Sequence, residues 1–214
     1  MKYQHIAWDF DGTLYNSYSH IIYCLTEGLR SLGITDSQEN ITRLAHLSLG
    51  DSYAHYSSVS GIPVEELRKA YRKQVIAMGI SPRIVPYPGI PELLRDIVAA
   101  GGRNHICSNR TVAGCRGYLQ RDGLEQYFDV FACPDSREGL RAKPEKDMVA
   151  LILEERNLTP DAMIMVGDRN LDHEAAHAAG VAGVFFDPDG FAVISCSPEY
   201  VAENIDALRE ILLG

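Results

Sequence analysis

The sequence predicts an α/β protein whose parallel, helix-covered sheet is interrupted early by an all-helical segment, and three observations predict it. From residue 90 onward, short apolar strand-like runs alternate with amphipathic helical runs, the pattern of parallel strands joined by crossover helices. Between residues 17 and 80 only helical periodicity is found. Acidic, hydroxyl and lysine side chains recur just after the strand-like runs, where parallel α/β sheets bind ligands.

Each element has its own signal. Tyr3 to Trp8 reads as a buried strand, and it runs directly into Asp9-Phe10-Asp11-Gly12-Thr13. Residues 17 to 32 place Ile21, Leu25, Leu29 and Leu32 on one helical face, with Gly33 where a helix end favours glycine. Residues 38 to 60 read as shorter helices broken at Gly50 and Gly61, and Val64, Leu67, Tyr71, Val75 and Met78 mark another helix over 64 to 78. Pro82 to Pro91 carries four prolines and a glycine, a stiff linker. Beyond it, Ile90 to Val98 reads as helix, Arg103 to Cys107 as strand, Thr111 to Arg121 as helix, Val130 to Ala132 as strand and Asp147 to Asn157 as helix. Met163 to Val166 is a strand candidate, Leu171 to Ala179 a helix, Val184 to Phe186 a strand and Pro198 to Leu212 a closing helix.

Composition bounds the function. With 214 residues, 46% hydrophobic and 23% charged, the chain can bury a sizeable core as one large domain or as one domain with an insert. A net charge of −9 argues against broad nucleic-acid binding, which needs a basic face. No apolar run approaches the roughly 20 residues that span a bilayer, and the first strand starts without a signal-like region, so a cytoplasmic location is expected and no membrane partner. Five cysteines without C-x-x-C spacing read as buried thiols, neither a disulfide framework nor a zinc site.

The polar residues behind the strands form a chemically coherent set. Asp9 and Asp11 follow the first strand, Ser108 and Asn109 the second, Lys143-Pro144 precedes a long helix, and Gly167-Asp168 is followed four residues later by Asp172. Taken singly, Ser108 reads as a turn hydroxyl, Lys143 as a solvated helix-entry lysine, and Asp168 and Asp172 as helix-capping acids. Together they fit phosphoryl chemistry. A divalent cation shared with a phosphate dianion removes its repulsion for an attacking carboxylate, and Asp9 and Asp168 suit a hard, oxygen-ligated ion such as Mg²⁺. Ser108 can donate to a phosphate oxygen, while Lys143 supplies fixed positive charge to the nucleophile and to the transferring group.

In these four stretches the chain resembles the haloacid dehalogenase superfamily, in its phosphoglycolate-phosphatase-like branch, which also contains β-phosphoglucomutase-like proteins. Asp9 to Thr13, Ile106 to Asn109, Lys143-Pro144 and Gly167 to Asp172 resemble its four motifs, and Tyr87-Pro88-Gly89 is similar to its return from cap to core. The resemblance implies a Rossmann-like core of residues 1–15 and 84–214 with residues 16–83 inserted as a helical cap. It implies that Asp9 forms an aspartyl-phosphate while Asp11 protonates the leaving oxygen and then activates water. Ser108, Asn109 and Lys143 would bind phosphate. Mg²⁺ would be held by Asp9, the Asp11 backbone carbonyl, Asp168 and Asp172, the last directly or through water. Ser48, Asp51 and Ser52 lie where relatives carry a substrate-selecting loop, and taken singly each reads rather as part of an exposed interhelical turn. The implied activity is Mg²⁺-dependent hydrolysis of a small phosphorylated metabolite. A phosphosugar mutase would share the core residues, and a catalytically silent binding module would share the fold. Dehalogenation is disfavoured by Asp11 and the motif-four acids, and phosphonate cleavage by a cap offering only Lys69 and Lys73 in a solvated pattern.

Overall fold

A computed structural model describes residues 1–190 and 194–214. The chain divides into two compact units, Met1–Asn16 with Pro86–Gly214, and Ser17–Val85. Short strands β2 (Tyr15–Asn16) and β3 (Val85–Pro86) stand where the chain crosses from one to the other.

The first unit is built on six parallel strands. These are β1 (His5–Trp8), β4 (Arg103–Cys107), β5 (Phe128–Ala132), β6 (Met163–Gly167), β7 (Ala182–Phe186) and β8 (Tyr200–Ala202), in the order β5-β4-β1-β6-β7-β8. Helices α5 (Ile90–Ala99), α6 (Val112–Arg121), α7 (Asp147–Arg156), α8 (Asn170–Ala178) and α9 (Ile205–Leu213) complete it, so the expected α/β class is met. From β1 the chain steps to β4 and β5 on one side and returns to β6, β7 and β8 on the other. That reversal opens a crevice at the carboxyl end of β1, the ordinary ligand position of an open α/β sheet. One apolar layer joins Ala7, Val130, Met163 and Met165 of the sheet to Met148, Val149 and Ile152 of α7 and to Ala175 and Ala176 of α8.

The closing segment differs from expectation. Residues 200–202 are not helical: Val184, Phe185 and Phe186 pair with Tyr200, Val201 and Ala202, adding the edge strand β8. The helix begins only at Ile205, where the Asn204 side chain accepts from the Ala207 N–H and ends the extended run. An apolar face that looked continuous thus belongs partly to a strand.

The second unit is helical: α1 (Tyr18–Ser31), α2 (Gln38–Leu47), α3 (Leu49–Ser60) and α4 (Val64–Met78). Its core joins Ile21, Leu25 and Leu29 to Ile41, Leu44, Tyr53, Tyr56 and Leu67. Gly28 lets α1 and α4 approach closely, since a Cβ there would lie 3.1 Å from the Tyr71 nitrogen. The expected break at Gly50 falls instead at Ser48, whose extended backbone ends α2 and whose hydroxyl caps α3 by accepting from the Asp51 N–H. Gly50 sits inside α3, because an N-cap hydroxyl is a stronger start signal than a glycine is a stop. Among the described residues no helix is long and apolar enough to cross a membrane.

Candidate active site

The sheet ladder continues one residue past β1, with the Asp9 N–H donating to the Val166 carbonyl at 2.9 Å, so the Asp9 carboxylate stands at the strand's end. A tight turn follows. The Leu14 and Tyr15 N–H groups both donate to the Phe10 carbonyl, and Gly12 takes φ +82°, a left-handed value that suits glycine. Phe10 is buried and stacked on Tyr15, ring centroids 4.4 Å apart.

Lys143 and Asp9 are both fully buried, and the lysine Nζ donates to Asp9 Oδ1 at 2.7 Å and to the Cys107 carbonyl at 2.7 Å. It also pairs with Asp172 Oδ1 at 2.5 Å. Burial works against the lysine's charge, but Asp172 and Asp9 outweigh it and hold the ammonium above its ordinary range. For Asp9, burial pushes the carboxyl up, Lys143 pulls it down, and Asp172 adds to the rise. Behind this cluster the Cys107 thiol is driven by burial up to about 12, so it is inert as a nucleophile.

Asn109 grips the Lys143 backbone at two points: its Nδ2 donates to the lysine carbonyl at 3.1 Å and its Oδ1 accepts from the lysine N–H at 2.8 Å. This amide therefore positions Lys143 across 34 residues of chain. Ser108 extends β4 by donating its N–H to the Ala132 carbonyl, and its hydroxyl accepts from the Arg110 N–H at 3.3 Å, just before Thr111 caps α6.

Asp168 directly follows β6 and accepts from the Thr13 hydroxyl at 3.3 Å. Asp172 uses its second oxygen to accept from the Arg169 N–H at 3.0 Å, capping α8. Gly167 makes room for it, since a Cβ there would fall 2.5 Å from the Asp172 side chain. Asp9, Asp168 and Asp172 each offer a carboxylate oxygen within 4.8 Å of the others. Asp9 Oδ2 is buried and accepts no hydrogen bond among the described residues. A buried carboxylate oxygen without a donor, beside two more acids, fits a hard divalent cation.

Two arginines complete the cluster, and neither was singled out from the sequence. Arg110 grips Asp11 at two points, Nη2 to Oδ1 at 2.6 Å and Nε to Oδ2 at 3.1 Å, while lying over the rings of Phe10 and Tyr118. Arg169 Nη2 lies 3.6 Å from Asp9 Oδ2 and its Nε 4.0 Å from Asp168 Oδ1. Both adjoin residues the motifs had marked, which is the only signal the sequence carried for them. Ser48, Asp51 and Ser52, by contrast, are bonded to one another. The Ser48 hydroxyl donates to Asp51 Oδ2 at 2.6 Å, and Ser52, buried, donates to the Ser48 carbonyl.

The chain as a whole is matched among known proteins. The chain is 28% identical over 220 residues to a tyrosine-protein kinase, PtkA, of Mycobacterium tuberculosis, covering 98% of this chain and 72% of that one. It is 26% identical over 223 residues to a phosphoglycolate phosphatase of Vibrio vulnificus, covering 97% and 95%. A solved haloacid dehalogenase-like hydrolase from Streptococcus pneumoniae shares the fold with a TM-score of 0.83 at 22% identity, covering 99% of this chain and 98% of that one. The model of the haloacid dehalogenase-like hydrolases matches residues 6–186, and the chain belongs to that family.

Proposed function

We propose that the protein is a Mg²⁺-dependent phosphatase that hydrolyses a small phosphorylated metabolite through an aspartyl-phosphate on Asp9. One observation carries this reading: a fully buried carboxylate fixed on one oxygen by Lys143, its other oxygen accepting no hydrogen bond among the described residues, in a cluster with Asp168 and Asp172. Asp9, Asp168 and the Asp11 carbonyl would hold the ion. Asp172, whose oxygens already serve Lys143 and the Arg169 N–H, would contribute through a water. When bound, the cation offsets repulsion between Asp9 and the phosphate dianion and polarises the P–O bonds.

In the first step an Asp9 oxygen bonds to phosphorus, the ester P–O bond breaks, and the departing alkoxide takes its electron pair and a proton from Asp11. In the second, Asp11 accepts a proton from water, the water oxygen bonds to phosphorus, and the bond to Asp9 breaks to release phosphate. Arg110 holds both Asp11 oxygens in the resting site, so it must free one of them for Asp11 to carry the proton that the leaving oxygen takes. Ser108 and the N–H groups entering α6 donate to the phosphoryl oxygens, Lys143 balances charge on Asp9 and on the group in flight, and Asn109 holds Lys143 in place. The Ser17–Val85 unit is assigned to substrate selection, with Ser48, Asp51 and Ser52 as the first residues to test.

The similarity to a phosphoglycolate phosphatase over nearly the whole chain favours a small phosphorylated acid or sugar, and the similarity to a tyrosine kinase adds protein hydroxyls to the acceptors worth assaying. The experiment is a phosphate-release screen over phosphoglycolate, phosphorylated sugars, nucleotides and pyrophosphate, with and without Mg²⁺, beside Asp9→Asn. Release should require Mg²⁺, and Asp9→Asn should lose on the order of 10⁴-fold or more with an unchanged circular dichroism spectrum. Isomerisation of a hexose 1-phosphate without release would make the protein a mutase, and neither release nor isomerisation with any substrate would favour a binding module. On the same panel, replacing Ser48, Asp51 and Ser52 by alanine should reorder substrate preference. An unchanged ranking would reduce that segment to the α3 cap.

A further inference from the structure

Three buried carboxylates, Asp9, Asp168 and Asp172, face two cations, Lys143 and Arg169, which stand at different distances from them. Lys143 is fully buried and locked at hydrogen-bond distance. The Arg169 side chain keeps 18% exposure and stands 3.6 Å from Asp9 Oδ2 and 4.0 Å from Asp168 Oδ1, beyond the 2.7–2.9 Å typical of a charge-assisted hydrogen bond. It sits over the same Asp9 oxygen that accepts no hydrogen bond among the described residues, and over the same two acids that would hold a divalent ion.

We propose that Arg169 is an exchangeable counter-ion: without a divalent cation it neutralises Asp9 and Asp168, and with the cation bound it turns to the phosphoryl oxygens of the substrate. This rests on the phosphatase reading above. A guanidinium within about 4 Å of the carboxylates stabilises the cation-free cluster, and its fixed positive charge opposes the arrival of a second cation. Arg169 cannot shed its proton, so it relieves the opposition only by finding another anion. A phosphoryl group within bonding reach of Asp9 brings its oxygens to the same place, and the planar fork of arginine suits them. Arg169 therefore couples the two ligands, weakening cation binding when phosphate is absent and strengthening phosphate binding when the cation is present.

The test measures each ligand separately. Mn²⁺ binding without substrate is followed by calorimetry, and inorganic phosphate is measured as an inhibitor of p-nitrophenyl phosphate hydrolysis at saturating Mg²⁺. Arg169→Gln should bind Mn²⁺ roughly tenfold more tightly and phosphate roughly tenfold more weakly, opposite changes that a merely structural residue would not produce. Arg169→Lys, which keeps the charge without the fork, should leave Mn²⁺ affinity near wild type and weaken phosphate severalfold, and it serves if the glutamine variant does not fold. Unchanged or weaker Mn²⁺ binding in Arg169→Gln, or unchanged phosphate affinity in either variant, overturns the proposal while leaving a Mg²⁺-dependent phosphatase intact. A wild-type protein that neither binds Mn²⁺ nor releases phosphate overturns both.

Discussion

Strands β1 and β4 bury polar side chains at both ends, and the two ends differ in how they deal with charge. At the carboxyl end, Asp9, Lys143, Asp168 and Asp172 are buried within contact of one another. At the amino end, His5 and His105 stack with ring centroids 5.2 Å apart and share a 2.9 Å contact between Nδ1 and Nε2. There burial, and after it His5, depresses His105 to about 3, so the imidazole stays neutral. Beside it the buried Asn104 accepts from the Trp8 indole at 2.9 Å and donates to the carbonyls of Leu94 and Tyr127. The same strands thus keep the imidazole neutral where burial outweighs the pull of Asp129, and collect charge where opposite charges meet. Buried ion clusters are seldom the most stable solution for a core, so their presence at one end agrees with the active site proposed there.

The largest expected effect comes from breaking the charged end. Lys143→Met leaves Asp9 and Asp172 buried without their cation and should cost about 3–5 kcal/mol of stability, read by urea unfolding at pH 7. A loss below about 1 kcal/mol would mean that the carboxylates are already compensated and that the two ends differ little in how they handle charge. At the neutral end, Asn104→Leu removes the acceptor of the Trp8 N–H and should cost about 1–3 kcal/mol, equally at pH 5 and pH 7. A strong pH dependence of that loss would show that the asparagine supports the histidine pair rather than the tryptophan.

The smallest effect at neutral pH, and the sharpest, is that of His105. Its unfolded value is near 6.5 and its folded value about 3, so between these the unfolded chain binds the extra proton. Stability should therefore fall as pH drops from about 6.5 toward 3, with about 2 kcal/mol of this linkage already lost at pH 5. His105→Gln has no such proton to take up. Its loss between pH 7 and pH 5 should be smaller by about that amount, and parallel acid limbs for the two proteins would contradict a neutral buried histidine.

The sequence by itself determined what depends on neighbours a few residues apart. Periodicity of two and of 3.6 placed β1, β4, β6 and most of the helices, and α4 spans Val64–Met78 as its apolar spacing indicates. The order of acids, hydroxyl and lysine behind the strands was legible because each lies next to a recognisable element, as Asp9 does to β1 and Asp168 to β6. Tertiary structure alone decided what depends on which strands become neighbours. Residues 200–202 became an edge strand because β7 offered a ladder to pair with, a fact written nowhere near Tyr200. Asn109 became the clamp on Lys143, and Arg110 found Asp11 across 99 residues, because β1 and β4 lie side by side and Phe10 and Tyr118 hold the guanidinium. Charge state belongs to the same class. A lysine or a histidine reads alike anywhere in a sequence, and only the burial and the partners supplied by the fold kept Lys143 charged and His105 neutral.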